Sequence, residues 1–196
     1  MSTLNSEYDK LWSAFKNGDK SAFALIYQQH VNALLNYGNK ITADRTLIED
    51  SIQDLFVELW ESRGRIAETT SVKFYLFKAL RYKINRNLRD NELSACHDID
   101  LHQNVFSYAC HESNLIGIEV QSAQLENLRV LLSQLPKRQQ EAINLRYYHN
   151  FSNDEIAQIM GVNYQSACNF IQLALRKLKL NLKVSVASLI FFLFFS

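Results

Sequence analysis

The feature that most constrains the fold is a helical pattern with a tight turn over residues 135–182. Ser152 and Glu155 have the spacing of a capping box, in which each side chain bonds a free backbone amide at the start of a helix. That helix is expected to end at Gly161, a residue that tolerates the positive φ angle of a sharp turn. Asn163 then offers an N-cap for the next helix. Two short helices joined by a glycine turn are typical of a helix-turn-helix, which points to DNA.

The second helix of this motif has one apolar face. Its apolar residues recur at three- and four-residue spacing and are Ala167, Phe170, Ile171, Ala174, Leu175 and Leu178. The positions outside this face are polar and suited to base edges in a major groove. They are Gln165, Ser166, Asn169, Gln172, Arg176 and Lys177. Because a glycine turn between amphipathic helices is common, an ordinary helical hairpin stays open as the alternative.

Local charge adds to the case for DNA. Residues 135–183 contain seven Lys and Arg against three acidic residues, an excess suited to phosphates. The second helix has no Lys or Arg before Arg176, so phosphate contacts are expected mainly from the basic residues of the segment as a whole. These are Lys137, Arg138, Arg146, Arg176, Lys177 and Lys179.

The composition indicates an almost wholly helical chain. The 196 residues include only five Gly and one Pro, 47% are hydrophobic, and no segment of useful length alternates apolar and polar residues. A chain of this size builds one or two compact domains. The net charge of +1 conceals a segregation of charge along the chain. Residues 1–62 carry five basic and nine acidic groups, and residues 63–89 carry eight basic groups and one acidic group. Residues 91–128 carry six acidic groups and no basic group. Such blocks suggest separate partners along the chain.

Two helices are predicted at the N-terminal end. The first is short and stops at Asn17–Gly18, and Asp19 is placed to cap a second helix through about Asn39. We interpret His30 on the second helix as a side chain at the edge of the core and not as a ligand, because no second ligand lies one turn away.

The next predicted helix, residues 47–63, has an acidic outer face. Its inward positions are Ile48, Ile52, Leu55, Phe56 and Leu59, and its outward positions are Glu49, Asp50, Gln53, Asp54, Glu58 and Glu61, with Trp60 near the end. On composition alone, a solvated acidic face is the better interpretation.

Residues 72–90 then form a basic helix with interleaved aromatic residues. Its buried stripe is predicted at Leu76, Leu80, Ile84 and Leu88. Around that stripe lie Lys73, Lys78, Arg81, Lys83, Arg86 and Arg89, together with Phe74, Tyr75, Phe77 and Tyr82. Positive charge with aromatic faces suits single-stranded or melted DNA, because the charge follows phosphates and the rings stack on bases. A basic solvated face with core aromatics explains the same helix equally well.

Residues 91–112 are acidic, rich in His and without clear periodicity, so they are interpreted as a linker between an N-terminal domain (1–90) and a C-terminal domain (113–183). The pairs Cys96–His97 and Cys110–His111 do not predict a metal site, because adjacent side chains point apart.

No other part of the sequence predicts an enzyme. It contains no phosphate-binding loop, zincin helix or nucleophile elbow, so we expect no catalytic residue, cofactor, metal or small-molecule substrate. The N-terminus lacks the pattern of a signal peptide and three Cys cannot all pair, which predicts a reducing cytoplasm.

An acidic helix, a basic aromatic helix and a distant helix-turn-helix together resemble the sigma-70 family of RNA polymerase sigma factors, in its extracytoplasmic function group. The core-polymerase-binding helix of that family is similar to the stretch IEDSIQDLFVELWESR. The promoter-melting helix of the family is similar to SVKFYLFKALRYKINRNLRD. The family's domain that reads the minus-thirty-five element is similar to the stretch LPKRQQEAINLRYYHNFSNDEIAQIMGVNYQSACNFIQLALRKLK. The resemblance covers residues 8–181 and implies an all-α protein of two small helical domains, sigma-2-like and sigma-4-like.

The resemblance also implies roles for individual residues. The polymerase-binding positions would be Asp50, Gln53, Asp54, Phe56, Leu59 and Trp60. The minus-ten recognition and melting positions would be Lys73, Tyr75, Lys78, Arg81, Tyr82, Lys83 and Arg86. The reading helix would present Tyr164, Gln165, Ser166, Asn169 and Gln172. The sequence departs from the family at Cys168, Phe170 and Leu173, where many members carry Lys or Arg, and at Tyr82, where a polar residue is common.

By this resemblance the chain is expected to bind core RNA polymerase and promoter DNA, and to be held inactive by an anti-sigma factor. Residues 184–195 form an apolar tail too short to span a bilayer, for which a membrane-surface, partner-docking or β-prone role stays open. Two other functions are alternatives: a helix-turn-helix regulator that acts without polymerase, and a cytoplasmic interaction adaptor.

Overall fold

The computed structural model describes the backbone of residues 10–66, 71–95 and 128–195, and the side chains of residues 10–66, 71–90 and 128–180. Every regular element in these ranges is a helix, which confirms the all-α prediction. The helices are α1 (residues 10–16), α2 (Lys20–Ile41), α3 (Arg45–Ser62), α4 (Val72–Ala95), α5 (residues 128–133), α6 (Lys137–Ile143), α7 (Asn153–Met160) and α8 (Tyr164–Phe195). The chain forms two compact units, with α1 to α4 in the first and the greater part of α5 to α8 in the second.

Short-range signals set the helix starts in the first unit. Gly18 has a φ of +92°, which ends α1, and the Asp19 carboxylate accepts hydrogen bonds from the amides of Ser21 and Ala22 at the start of α2. Asp44 caps α3 in the same way by accepting from the Leu47 amide at 3.0 Å. Because of this cap, α3 begins two residues before the predicted start.

The core of the first unit lies among α2, α3 and α4, each of which contacts the other two. Tyr37 of α2 and Phe77 of α4 are fully buried, and their rings stack with centroids 5.0 Å apart. The predicted inward face of α3 is buried at all five positions, and on α4 Leu76, Leu80 and Ile84 have no exposed surface. The four-residue repeat therefore predicted the buried face of α4 correctly, except that Leu88 is only half-buried.

A close helix crossing joins α2 to α3. At Gly38 an added Cβ atom would lie 2.5 Å from Cγ2 of Ile48, so the two backbones approach where only glycine leaves room. This crossing was not predicted from the sequence, because the contact joins residues of different helices.

Helices α7 and α8 form the helix-turn-helix. The Glu155 amide donates to the Ser152 hydroxyl at 3.2 Å, and the Ser152 amide donates to the Glu155 carboxylate at 2.8 Å, so the capping box is confirmed. Gly161 has a φ of +62° at the turn. The side chain of Asn163 accepts from the Ser166 amide at 2.7 Å and caps α8, as predicted.

The inward face of α8 agrees with the predicted one at most positions. Ala167, Ile171 and Ala174 are buried, and Phe170 is half-buried. Leu175 was predicted to point inward but is 41% exposed, so that placement was wrong.

Helices α4 and α8 both extend beyond their predicted ends. α4 continues to Ala95, five residues past the predicted end of the basic helix, and the rest of the predicted linker, with its Cys and His pairs, lies outside the described residues. The backbone of α8 is helical through Phe195, so the β-prone alternative for the tail was wrong. Within the described residues, no helix combines the length and hydropathy needed to cross a bilayer.

Candidate functional site

The outer face of α3 forms an acidic surface, which we define as Asp50, Gln53, Asp54, Val57, Glu58 and Glu61. All six side chains are exposed. Val57, which sequence reasoning missed, is 56% exposed and supplies an apolar position among the carboxylates. A surface of this kind suits a basic partner that also buries apolar area.

Two residues that were predicted to contact polymerase lie in the core instead. Phe56 is 4% exposed and Leu59 is 1% exposed. The Phe56 and Tyr27 rings form a T-shaped pair with centroids 4.9 Å apart, so Phe56 joins α3 to α2. In the unbound fold these two residues position the acidic surface and do not belong to it.

Trp60 lies at the end of the acidic surface and is half-buried. Its ring centroid is 5.1 Å from that of Phe23, and the Arg63 guanidinium carbon lies over the Trp60 ring, 4.4 Å from its centroid. The arginine therefore covers part of the indole that the resemblance assigned to polymerase.

The exposed face of α4 carries a line of residues at four-residue spacing. Lys78, Tyr82 and Arg86 are all exposed, and Tyr82 reaches 63%. Residues four apart lie above one another on one helix face. We call Lys78, Tyr82 and Arg86 the basic stripe, because a strand running along α4 would meet positive charge on both sides of one aromatic ring.

The other minus-ten candidates are less accessible. Arg81 is 7% exposed, Lys73 is half-buried, and Lys83 has a side-chain exposure of 13% with its ammonium 2.6 Å from the Glu58 carboxylate. Tyr75 is half-buried beside Trp12, at 6.2 Å between ring centroids. Of the seven predicted residues, the structure thus brings three together on an open face.

A groove separates the acidic surface of α3 from the basic stripe of α4. It is lined by Asp54, Leu55, Glu58, Leu59, Ser62, Tyr75, Ala79, Tyr82, Lys83, Arg86, Asn87 and Asp90. Burial raises the pKa of the Tyr75 hydroxyl, and the nearby Glu58 carboxylate raises it further. Tyr75 therefore stays neutral at physiological pH and can donate a hydrogen bond.

On α8 a second line of polar residues is exposed. Gln165, Asn169, Gln172 and Arg176 follow one another at four-, three- and four-residue spacing, and we call them the reading stripe. The Gln165 side-chain amide donates to the Asn169 side-chain carbonyl at 3.1 Å. Lys177 and Tyr164 are also exposed, whereas Ser166 is half-buried.

The basic residues before α7 differ in what they contact. Lys137 and Arg138 are exposed at the start of α6, and the Arg138 guanidinium lies 3.5 Å from the nearly buried Glu141 carboxylate. Arg146 is exposed but donates to the Phe151 carbonyl at 3.0 Å, which ties down the loop before α7. Arg146 thus has a structural contact besides its predicted contact with phosphate.

Sequence reasoning missed an exposed tyrosine pair. Residues Asn144–Tyr148 form a π-helical turn that continues α6, and Tyr147 and Tyr148 are 56% and 75% exposed. π-Helical turns occur often at functional sites. The signal available in the sequence was two adjacent tyrosines just before the capping box.

Within the described residues no three His, Cys, Asp or Glu side chains form a group that would hold a metal ion.

Comparison with known proteins matches two families to two separate parts of the chain. Residues 26–93 match the family Sigma-70 region 2, and residues 125–178 match the family Sigma-70, region 4. No curated protein matches the sequence.

Solved structures share the fold. One is the structure of CnrH in complex with the cytosolic domain of CnrY, with a TM-score of 0.57 and 21% identity, covering 90% of this chain and 97% of that one. Another is the sigma factor RpoE in complex with the anti-sigma factor NepR from Bartonella quintana, with a TM-score of 0.62 and 22% identity, covering 83% and 97%.

The two matched regions together span more than half of the sequence, and the chain belongs to the sigma-70 family. It is a sigma factor, a protein that binds core RNA polymerase and directs promoter-specific initiation of transcription.

Proposed function

We propose that the acidic surface of α3 binds core RNA polymerase while the basic stripe of α4 captures the opened minus-ten strand. The reading stripe of α8 then contacts the minus-thirty-five duplex, with Lys137, Arg138 and Lys177 against phosphates. This division of labour extends the family function to particular side chains. These three roles require binding and no covalent chemistry. They are carried out in the cytoplasm, where polymerase and promoter meet.

The observation that carries this proposal is the opposite charge of two neighbouring helix faces. Asp50, Asp54 and Glu58 are exposed on α3, whereas Lys78 and Arg86 are exposed on α4. DNA is a polyanion, so it is repelled by the first face and attracted by the second. A regulator that bound duplex DNA alone would have no use for the first face.

An anti-sigma factor is the proposed partner in the inactive state. Both similar solved structures are complexes, one of them described as a sigma factor with an anti-sigma factor. The half-buried Trp60 and exposed Val57 give such a partner apolar area next to the polymerase-binding carboxylates. Competition between the two partners for this region would keep the protein from polymerase.

The direct test is transcription with purified core polymerase on a promoter selected from genomic fragments. The full-length protein is expected to direct initiation at one start site, and core polymerase alone is not. The variant Lys78→Ala with Arg86→Ala is expected to reduce open complexes while still co-purifying with core polymerase. Co-purification without any promoter-dependent start would reject the sigma function, and DNA binding without polymerase association would favour the independent regulator.

A further inference from the structure

We infer that the reading stripe of α8 selects adenine, with Gln165 as the residue that reads the base and Asn169 as the residue that positions it. This inference rests on the proposed function of α8 and names the base at that site. It starts from the chemistry of the exposed residues, because the first three turns of α8, residues 164–175, contain no Lys or Arg.

Amide side chains favour a different base from basic side chains. Arg or Lys pairs with the O6 and N7 acceptors of guanine, whereas Gln or Asn pairs with adenine by donating to N7 and accepting from the N6 amino group. Arg176 is the first basic residue of the stripe, and eleven residues at 1.5 Å each place it about 16 Å along the helix from Gln165. Base contacts come from the N-terminal end of a recognition helix, so Arg176 is placed for phosphate.

The hydrogen bond within the stripe assigns the two roles. Gln165 uses one of its two N–H groups to donate to the Asn169 carbonyl at 3.1 Å. Its other N–H and its carbonyl stay available together, and these are the two groups that adenine requires. Holding the amide in one orientation before binding also removes part of the ordering cost. Asn169 thus acts through Gln165.

The neighbouring polar residues do not offer the same pair of groups. Asn163 uses its side-chain oxygen to accept from the Ser166 amide at 2.7 Å as the cap of α8. Ser166 is half-buried, and a hydroxyl pairs with several bases. Gln165 is therefore the exposed amide nearest the start of the helix that is also fixed by a partner.

The test uses holoenzyme assembled from core polymerase and the full-length protein. It is mixed with duplexes randomised across the upstream element, and the bound duplexes are sequenced. For the wild type we expect adenine at one position to be preferred by about 5- to 150-fold, the range for one bidentate base contact. Gln165→Ala should remove the preference at that position alone, and Gln165→Arg should change it to guanine.

Asn169→Ala should weaken the same adenine preference while leaving the other positions unchanged. If the Gln165–Asn169 bond only stabilises the helix, this variant will bind less without changing the base profile, which would reject the positioning role. Gln28→Ala, an exposed glutamine of α2, is the matched control and should reproduce the wild-type profile.

Base analogues give an independent readout. Replacing the selected adenine by purine, which lacks the N6 amino group, or by 7-deazaadenine should weaken wild-type binding and have no further effect on Gln165→Ala. A Gln165-dependent preference for guanine, cytosine or thymine, or an unchanged profile in Gln165→Ala, would overturn the inference. Failure of every protein to enrich any sequence would instead reject the proposed function of α8.

Discussion

Lys83 and Glu58 form an ion pair, with the ammonium nitrogen 2.6 Å from the carboxylate oxygen, that joins the basic helix α4 to the acidic surface of α3. The lysine side chain is 13% exposed and the glutamate side chain 66%. A residue that the sequence assigned to DNA is thus held by a residue of the surface proposed for polymerase. We expect Lys83 to stabilise the contact between the two helices more than it binds phosphate.

The first prediction is a measurable coupling between these two side chains. In a double-mutant cycle of Glu58→Gln and Lys83→Gln, the free energy of unfolding should show a coupling of about 0.2–1 kcal/mol, the range for surface pairs, because the Glu58 side chain is 66% exposed. The coupling should shrink as salt is added, because ions screen exposed charges. Urea unfolding at low and high salt measures it, and additive effects at low salt would contradict a stabilising pair.

The second prediction concerns His30, which is 8% exposed on α2. Burial, with a smaller contribution from Lys73, lowers its pKa from 6.5. The unfolded chain then takes up a proton near pH 6.5 that the folded chain takes up only at lower pH. The free energy of unfolding should therefore fall as the pH drops below 6.5.

Two substitutions test this dependence by urea unfolding on either side of pH 6.5. His30→Gln should lose less stability on acidification than the wild type does, because it has no proton to gain. Lys73→Met should also reduce the loss, because removing the positive charge brings the pKa of His30 back toward 6.5. Equal losses in all three proteins would mean that other groups govern the acid sensitivity.

The third prediction is that Asp50→Arg with Asp54→Arg abolishes association with core polymerase and leaves the fold intact. Both carboxylates are exposed, so their replacement should change the free energy of unfolding little. Reversing two charges that face a basic partner introduces repulsion worth several kcal/mol. Co-purification with core polymerase in the absence of DNA is the measurement.

Asp154→Arg is the matched control for this charge reversal, because Asp154 is an exposed carboxylate on α7. The control should co-purify with core polymerase as the wild type does. Normal co-purification of the α3 double variant would remove the acidic surface from the interface.

The fourth prediction concerns the crossing of α2 and α3. Gly38→Ala would place a Cβ atom 2.5 Å from Cγ2 and 3.2 Å from Cγ1 of Ile48, which is 1% exposed. Overpacking should lower the free energy of unfolding by about 1–3 kcal/mol, despite the roughly 1 kcal/mol that alanine adds to helix propensity. Thermal unfolding measures the change.

A second site and a second substitution control the Gly38 experiment. Gly64→Ala meets no heavy atom within 4 Å and should change stability little. Gly38→Ala should lower the free energy of unfolding less in the Ile48→Ala background than in the wild type, because Ile48→Ala removes the side-chain atoms of the clash. No loss in Gly38→Ala would show that the helices separate at little cost.

The sequence predicted well those features that are encoded within a few residues. Asp19, Ser152 and Asn163 all cap helices where expected, because a cap needs only a polar side chain and amides two or three residues away. The repeat from Leu76 to Ile84 identified the buried side of α4 for the same reason. Local periodicity therefore fixed the elements and most of their core faces.

What the sequence missed depends on contacts between distant residues. The Glu58–Lys83 pair joins residues of two helices, and nothing local distinguishes Lys83 from the exposed Lys78. For Phe56 the periodicity of α3 already predicted burial, and its packing against Tyr27 agrees with that prediction and not with the polymerase-binding role implied by the resemblance. Side-chain accessibility is decided by tertiary packing, so the motifs alone could not decide which residues of a predicted surface are exposed.

The last prediction separates the two tyrosines of the minus-ten candidate. Tyr82 is 63% exposed within the basic stripe, whereas Tyr75 is half-buried beside Trp12. Tyr75→Ala should therefore lower the free energy of unfolding, because it removes buried aromatic area. Tyr82→Ala should leave stability unchanged within about 0.5 kcal/mol.

Tyr82→Ala should act on opened DNA alone. Unpaired bases can stack on an exposed ring, so the variant holoenzyme should bind closed promoter duplex normally and lose about 1–3 kcal/mol in holding the melted strand. Arg86→Ala should instead weaken binding to any DNA and lower the slope of log affinity against log salt by about 0.7 for one single-strand phosphate contact. Permanganate reactivity of promoter thymines, compared with duplex affinity at several salt concentrations, measures both effects. If Tyr82→Ala opens promoters normally, or loses duplex binding as Arg86→Ala does, the ring does not stack on bases and α4 contacts only the sugar-phosphate backbone.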